Sequence, residues 1–131
     1  MSVLVGKSAP SFSATAVKGG DIIDNFTLDD FIGTKYVVLF VYPKDFTFVC
    51  PTELHAFQDK ISEFESRDGA VVGCSTDTEF SHPAWLQTPK AKGGIEGVSE
   101  PLVADNNKTI SSDYDVHAGD YISDEEGNVD V

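Results

Sequence analysis

A strand, helix, strand pattern across the middle of the chain constrains its fold more than any other feature. Tyr36-Val-Val-Leu-Phe-Val-Tyr42 is an unbroken β-branched and aromatic run that Pro43 ends. Apolar on both faces, it predicts a central strand covered on both sides. From Glu53 the period changes. Leu54, Phe57, Ile61 and Phe64 recur at spacings of three and four and share one helical face, while Glu53, His55, Asp59, Lys60 and Glu63 point elsewhere. This helix is expected to end near Arg67-Asp-Gly69, where glycine is a natural stop. Ala70-Val-Val-Gly-Cys-Ser75 then reads as a second buried strand. Two strands joined through a helix by short links form a βαβ unit, so they are expected to run parallel in an α/β fold.

The flanking segments fill out one domain, residues 1–131, since a chain of 131 residues suits one hydrophobic core rather than two. Before the βαβ unit, Ala9-Pro-Ser-Phe12, Lys18-Gly-Gly-Asp21 and Phe26-Thr-Leu28 read as short strands and turns. After it, a second helix is expected near Ser81-His-Pro-Ala-Trp85, with Pro83 tolerated in the first turn. Leu102-Val-Ala-Asp105 reads as a short edge strand, and Lys108 to Tyr114 as a helical turn. Asp124-Glu-Glu-Gly-Asn128 resembles a tight turn between two short extended pieces.

Charge and cysteine usage narrow the function. The net charge is −13, from 22 acidic and 9 basic residues, which disfavours nucleic acid and anionic membrane surfaces, both of which call for Lys and Arg. No apolar run approaches the ~18 residues expected of a membrane span, and the first seven residues are too short and polar for a secretory signal. Two cysteines, Cys50 and Cys74, do not make a disulfide framework, so a reducing, cytoplasmic setting is expected. The three His and two Cys show no metal-ligand spacing, and the acidic group Asp113, Asp115, Asp120 and Asp124 lacks a calcium-loop pattern and reads as solvated surface. His55 and His117 read as solvated as well.

Cys50 is where the chemistry concentrates. It lies between Val49 and Pro51, three residues after the hydroxyl of Thr47, where a strand pattern gives way to a helix pattern. Unpaired N–H groups and the helix dipole favour negative charge at a helix start, and a thiolate is the nucleophilic form of cysteine. Pro43, Thr47 and Cys50 form a Pro-x-x-x-Thr-x-x-Cys pattern inside the longer Phe46-Thr-Phe-Val-Cys-Pro-Thr-Glu53. A second stretch, Ser75-Thr-Asp-Thr-Glu-Phe-Ser-His-Pro-Ala-Trp85, follows, and Gly6-x-x-Ala-Pro-x-Phe12 opens the chain. In all three stretches the chain resembles the peroxiredoxins of the typical two-cysteine, alkyl hydroperoxide reductase C type.

The resemblance implies a thioredoxin-like fold and a thiol peroxidase that reduces hydrogen peroxide and organic hydroperoxides without a cofactor. Cys50 would be the nucleophile and become a sulfenic acid. Thr47 and the backbone N–H groups of Val49 and Cys50 would hold the peroxide oxygens. Pro43 would shield the sulfur, and Glu53 would orient a cationic partner. The resemblance further implies a thioredoxin-like or flavoprotein reductant and a homodimer assembling into a ring. Phe80, Ser81, His82 and Trp85 are then interface candidates, although His82 and Trp85 read equally well as packing and helix-start residues. Cys74 has no role in the family pattern and sits in a strand, so it reads as core.

The chain departs from the family in two respects. The family carries an arginine on a later strand beside the reactive sulfur, and the only arginine here, Arg67, belongs to the end of the first helix. The family also carries a resolving cysteine near its C-terminus, and no cysteine follows Cys74. The chain therefore reads as the N-terminal portion of a longer peroxiredoxin domain, with Gly127-Asn-Val-Asp-Val131 leading into the next strand and slow peroxide chemistry expected of this piece alone. Three other readings compete. A disulfide reductase needs Cys-x-x-Cys, but Cys50 is followed by Pro-Thr-Glu. A one-cysteine peroxiredoxin resolved by an external thiol and a redox-regulated, chaperone-like binding module both remain open.

Overall fold

The computed structural model describes residues 4–46 and 50–117, together with the backbone of residues 122–123 and 129–130. An N-terminal hairpin, β1 (Ala14–Lys18) and β2 (Asp21–Phe26), leads the chain. Gly19 and Gly20 close it in two residues, both at positive φ (60° and 92°), the turn that matches strand twist. The βαβ unit follows as β3 (Tyr36–Val41), α1 (Cys50–Asp59), a short α2 (Ile61–Glu65) and β4 (Gly69–Ser75). The two strands are parallel as expected, from Tyr36 opposite Gly69 to Val41 opposite Cys74. Then come α3 (Ser81–Leu86), β5 (Leu102–Ala104) and α4 (Thr109–Asp113). A two-stranded antiparallel pair, β6 (Ile122–Ser123) with β7 (Val129–Asp130), ends the described chain. The acidic turn expected between them lies outside the described residues, as do Asp120 and Asp124.

The main sheet has the order β2-β1-β5-β4-β3. Two strand positions bear on the expectations. β3, expected centrally in a complete family domain and with an apolar edge bared where the family's later strands are missing, stands at one edge, with Tyr36 79% exposed. Its two-sided apolar pattern is nonetheless used: Phe40 packs into the core on one face of the sheet, Val37 and Leu39 into the core on the other. Faces, rather than edges, are what the alternation encodes. β5, expected at an edge, runs between β1 and β4, and all three of its residues are buried. Its shortness suggested an edge, yet three residues suffice to pair on both sides.

The predicted first helix is also broken. At Lys60 the N–H bonds to Phe57 O, three residues back, which tightens the backbone and separates α1 from α2. The helix side of the fold still delivers its apolar stripe, with Phe57 stacked on Phe40 at 4.6 Å between ring centroids and Phe64 beside Phe57 at 6.2 Å. Gly69 is not the helix stop. Asp68 takes the left-handed conformation (φ 56°), and Gly69 begins β4 at a position where a Cβ would lie 3.0 Å from Phe64 O.

One cluster, Tyr42, Cys50, Leu54, Trp85, Ile95, Val98 and Leu102, fills the α1 and α3 side of the sheet. The other, built on Ala16, Phe26, Val72, Cys74, Val103 and Ile110, fills the opposite side. Asp105, just past β5, is buried and caps α4, accepting from the N–H groups of Ile110 and Ser111 and from Ser111 Oγ at 2.7–3.1 Å.

Among the described residues, Glu100 is the exception to good polar accounting: it is 2% exposed, and neither carboxylate oxygen has a hydrogen-bond partner there. Burial raises its pKa; the nearby N–H groups of Glu100 and Ser99 pull it down but do not prevail, and that of Ser99 is already given to Gln58 Oε1 at 2.7 Å. A carboxylate with a raised folded-state pKa binds more protons folded than unfolded, so its ionisation lowers stability as pH rises from the ordinary Glu range through the raised value. Glu100→Gln is therefore expected to raise the melting midpoint at pH 7, by an amount corresponding to about 1–3 kcal/mol. The gain should shrink toward pH 4, as measured by thermal unfolding across pH. A gain independent of pH would contradict this account.

Candidate active site

The site is assembled where the end of β3 turns into α1. Cys50 is the first residue of that ten-residue helix, a free thiol, 4% exposed and packed in the same cluster as Tyr42, Leu54 and Trp85. Pro51 follows it in the first turn, where a missing N–H costs nothing and the fixed φ suits the helix. The helix is thus aimed with its N–H-rich end at the sulfur. Thr47 and Val49, named from the sequence, lie outside the described residues. Pro43 and Glu53 are exposed, Pro43 at the end of β3 and Glu53 in the first turn of α1.

Cys74 contrasts with Cys50. It is fully buried in β4, and burial, together with the carboxylate of Asp105, pushes its pKa up to about 12. At neutral pH it stays a thiol, which is the inert form. The core role expected for it is what the structure gives.

His82 and Trp85 are both fully buried, so their side chains serve the interior of this chain. Of the four interface candidates, Ser81 is half-buried and Phe80, 74% exposed, offers its ring to solvent. His55, expected in solvent, is half-buried with Nε2 3.1 Å from Gly94 O. With Gln58, whose Oε1 accepts from Ser99 N and Oγ, it ties α1 to the loop before β5.

A buried polar group that sequence reasoning missed surrounds the joint. Asp45, 6% exposed, accepts from Tyr42 Oη at 2.9 Å through Oδ1 and meets His82 Nδ1 at 2.6 Å through Oδ2. Its own N–H donates to Asp77 Oδ2. His82 Nε2 lies 3.3 Å from Val103 O, so both ring nitrogens face oxygen acceptors. Thr76 Oγ1 donates to Pro43 O at 3.2 Å. Burial, then the Asp45 carboxylate, pushes the Tyr42 hydroxyl's pKa far up, keeping it a donor. The signal in the sequence was an aspartate set among aromatic residues three positions after a tyrosine.

An α/β domain of thioredoxin-like build, with one buried cysteine heading the crossover helix, is the class that fold and site define. The reduced 2-Cys peroxiredoxin of Plasmodium vivax has the same fold, with a TM-score of 0.84 at 42% identity over 95% of this chain and 80% of that one. The AhpC/TSA family matches residues 5–130, and the chain belongs to that family. Among its relatives are the chloroplastic 2-Cys peroxiredoxin BAS1 of Hordeum vulgare, 50% identical over 86% of this chain and 53% of that protein, and peroxiredoxin-2 of Bos taurus, 51% identical over 86% of this chain and 55% of that one. A thioredoxin peroxidase of Echinococcus granulosus is 47% identical over 88% of this chain and 59% of its own length. The chain spans about half the length of the curated relatives it matches, from 42% to 63%.

Proposed function

We propose that the protein containing this chain is a thiol-dependent peroxidase in which Cys50 is the attacking sulfur. The observation that carries the reading is the placement of Cys50, first in α1 and packed against the core, in a chain of the AhpC/TSA family. The Cys50 thiolate attacks one oxygen of the hydroperoxide and the O–O bond breaks. The other oxygen leaves, takes up a proton and departs as water or alcohol, and the sulfur, oxidised by two electrons, becomes a sulfenic acid. A second thiol then condenses with the sulfenic acid, releasing water and forming a disulfide, which an external dithiol reduces.

Thr47 and the N–H groups of Val49 and Cys50 are proposed to hold the peroxide oxygens, Pro43 to shield the sulfur, and Glu53 to orient a cation beside it. A thioredoxin-like dithiol is the reductant favoured here, in keeping with the name of the Echinococcus granulosus relative. A homodimer that assembles further, with the exposed Phe80 in a contact, and a reducing compartment such as the cytoplasm complete the reading. The test is peroxide consumption by the intact protein with a small dithiol as electron donor. Consumption that is first order in peroxide and in protein supports the reading, and consumption no faster than the dithiol alone overturns it.

A further inference from the structure

We propose that Asp45 is a positioning residue for the Cys50 thiol, holding the joint between β3 and α1 through Tyr42, Asp77 and His82. The proposal rests on the reading of Cys50 as the reactive thiol. Among the described residues, Asp45 makes no hydrogen bond to Cys50; it acts through what it holds. Its carboxylate joins the end of β3, through Tyr42, to α3, through His82, and its backbone is fastened to the link between β4 and α3 through Asp77. Thr76 fixes the same joint one step earlier, at Pro43 O. A shift of the joint moves Tyr42, which packs in the same cluster as Cys50.

Two further observations place the function of this polar group at the joint rather than in general stability. Phe46, directly after Asp45, is held at φ 56°, a region that bulky side chains rarely occupy, with its ring 6.0 Å from that of Trp85. Such strain persists only where neighbours over-determine it, and it gathers at functional segments. Tyr42, which Asp45 anchors, also packs in the Cys50 cluster, its ring 5.9 Å from that of Trp85. A buried carboxylate–imidazole pair is weak evidence for stability, because apolar residues of similar volume often serve as well. What the pair supplies here is a fixed orientation of one strand end against one helix.

The test compares two rates at Cys50 in the intact reduced protein, oxidation by hydrogen peroxide and alkylation by iodoacetamide, each read at Cys50 and Cys74 by peptide mass spectrometry. Both reactions need the thiolate, so their ratio cancels ionisation and isolates geometry. Cys74, fully buried in β4, reports loss of the fold. Asp45→Asn is expected to lower the ratio of peroxide to alkylation rate about tenfold while Cys74 stays protected, the scale of one lost buried charge-assisted hydrogen bond. An unchanged ratio with Cys74 protected overturns the proposal. If Cys74 becomes reactive in that variant, Asp77→Ala, at a half-buried position whose carboxylate accepts from the Asp45 N–H, decides by the same two criteria. A native Cys50 with no more preference for peroxide than free cysteine would overturn the peroxidase reading itself, and this proposal with it.

Discussion

Replacing Cys50 with serine is expected to reduce peroxide consumption by at least about a thousandfold, the scale of deleting a covalent nucleophile. The hydroxyl of serine stays protonated at neutral pH, and its oxygen cannot take the place of the sulfur that peroxide oxidises, so no route to a sulfenic acid survives. Cys74→Ala is the matched control. It removes a sulfur that is fully buried and locked as a thiol, so the consumption rate should stay within about threefold of native while the melting midpoint falls by an amount corresponding to about 1–2 kcal/mol. Peroxide consumption measured side by side for the two variants separates the cysteines. Loss of activity in Cys74→Ala with retention in Cys50→Ser would reverse the assignment.

Trp85→Ala is expected to be the most destabilising single substitution in the site region. The side chain is fully buried, packs against Tyr42 and Phe46, and donates from Nε1 to Gly93 O at 2.9 Å. Its carbonyl accepts from Ile95 N at 3.1 Å, which draws the segment after α3 back under the sheet. That segment cannot adjust easily, because a Cβ on Gly94 would sit 1.9 Å from Thr88 O. Truncating such a ring leaves a cavity and an unmet carbonyl, for a loss of about 3–5 kcal/mol. Against a total stability of roughly 5–15 kcal/mol this is a large fraction, and the midpoint should fall by roughly 10–20 °C. Thermal unfolding followed by circular dichroism measures it, and a fall of less than about 3 °C would show that the core does not depend on Trp85.

The parts of the fold that follow from local pattern were legible in the sequence. The parallel crossover from β3 to β4, the short strands and turn around Gly19 and Gly20, and the helix at Ser81 all rest on periodicity, chain length or turn chemistry that a few residues carry. Strand order was not legible, because β3 and β5 owe their places to long-range pairing that leaves no local mark on either run. The break at Lys60 was hidden for a related reason, since Ile61 and Phe64 keep a helical spacing across it. At the site, the motif around Cys50 singled out the sulfur proposed to react. The support beneath it was not visible, because Asp45, Asp77 and His82 are far apart in sequence and meet only after the sheet and α3 have packed. His82 was an interface candidate through the family resemblance and read equally well as a packing residue; its partner Asp45 could not be seen before the fold.

The central claim is that Cys50, at the head of α1, is the sulfur that reacts with peroxide. The most direct measurement exposes the intact, reduced protein to one equivalent of hydrogen peroxide in the presence of a sulfenic-acid trap and locates the adduct by peptide mass spectrometry. The account predicts the adduct on Cys50, formed within the mixing time, with Cys74 unmodified. An adduct on Cys74, or none on either cysteine in a folded protein, would contradict it.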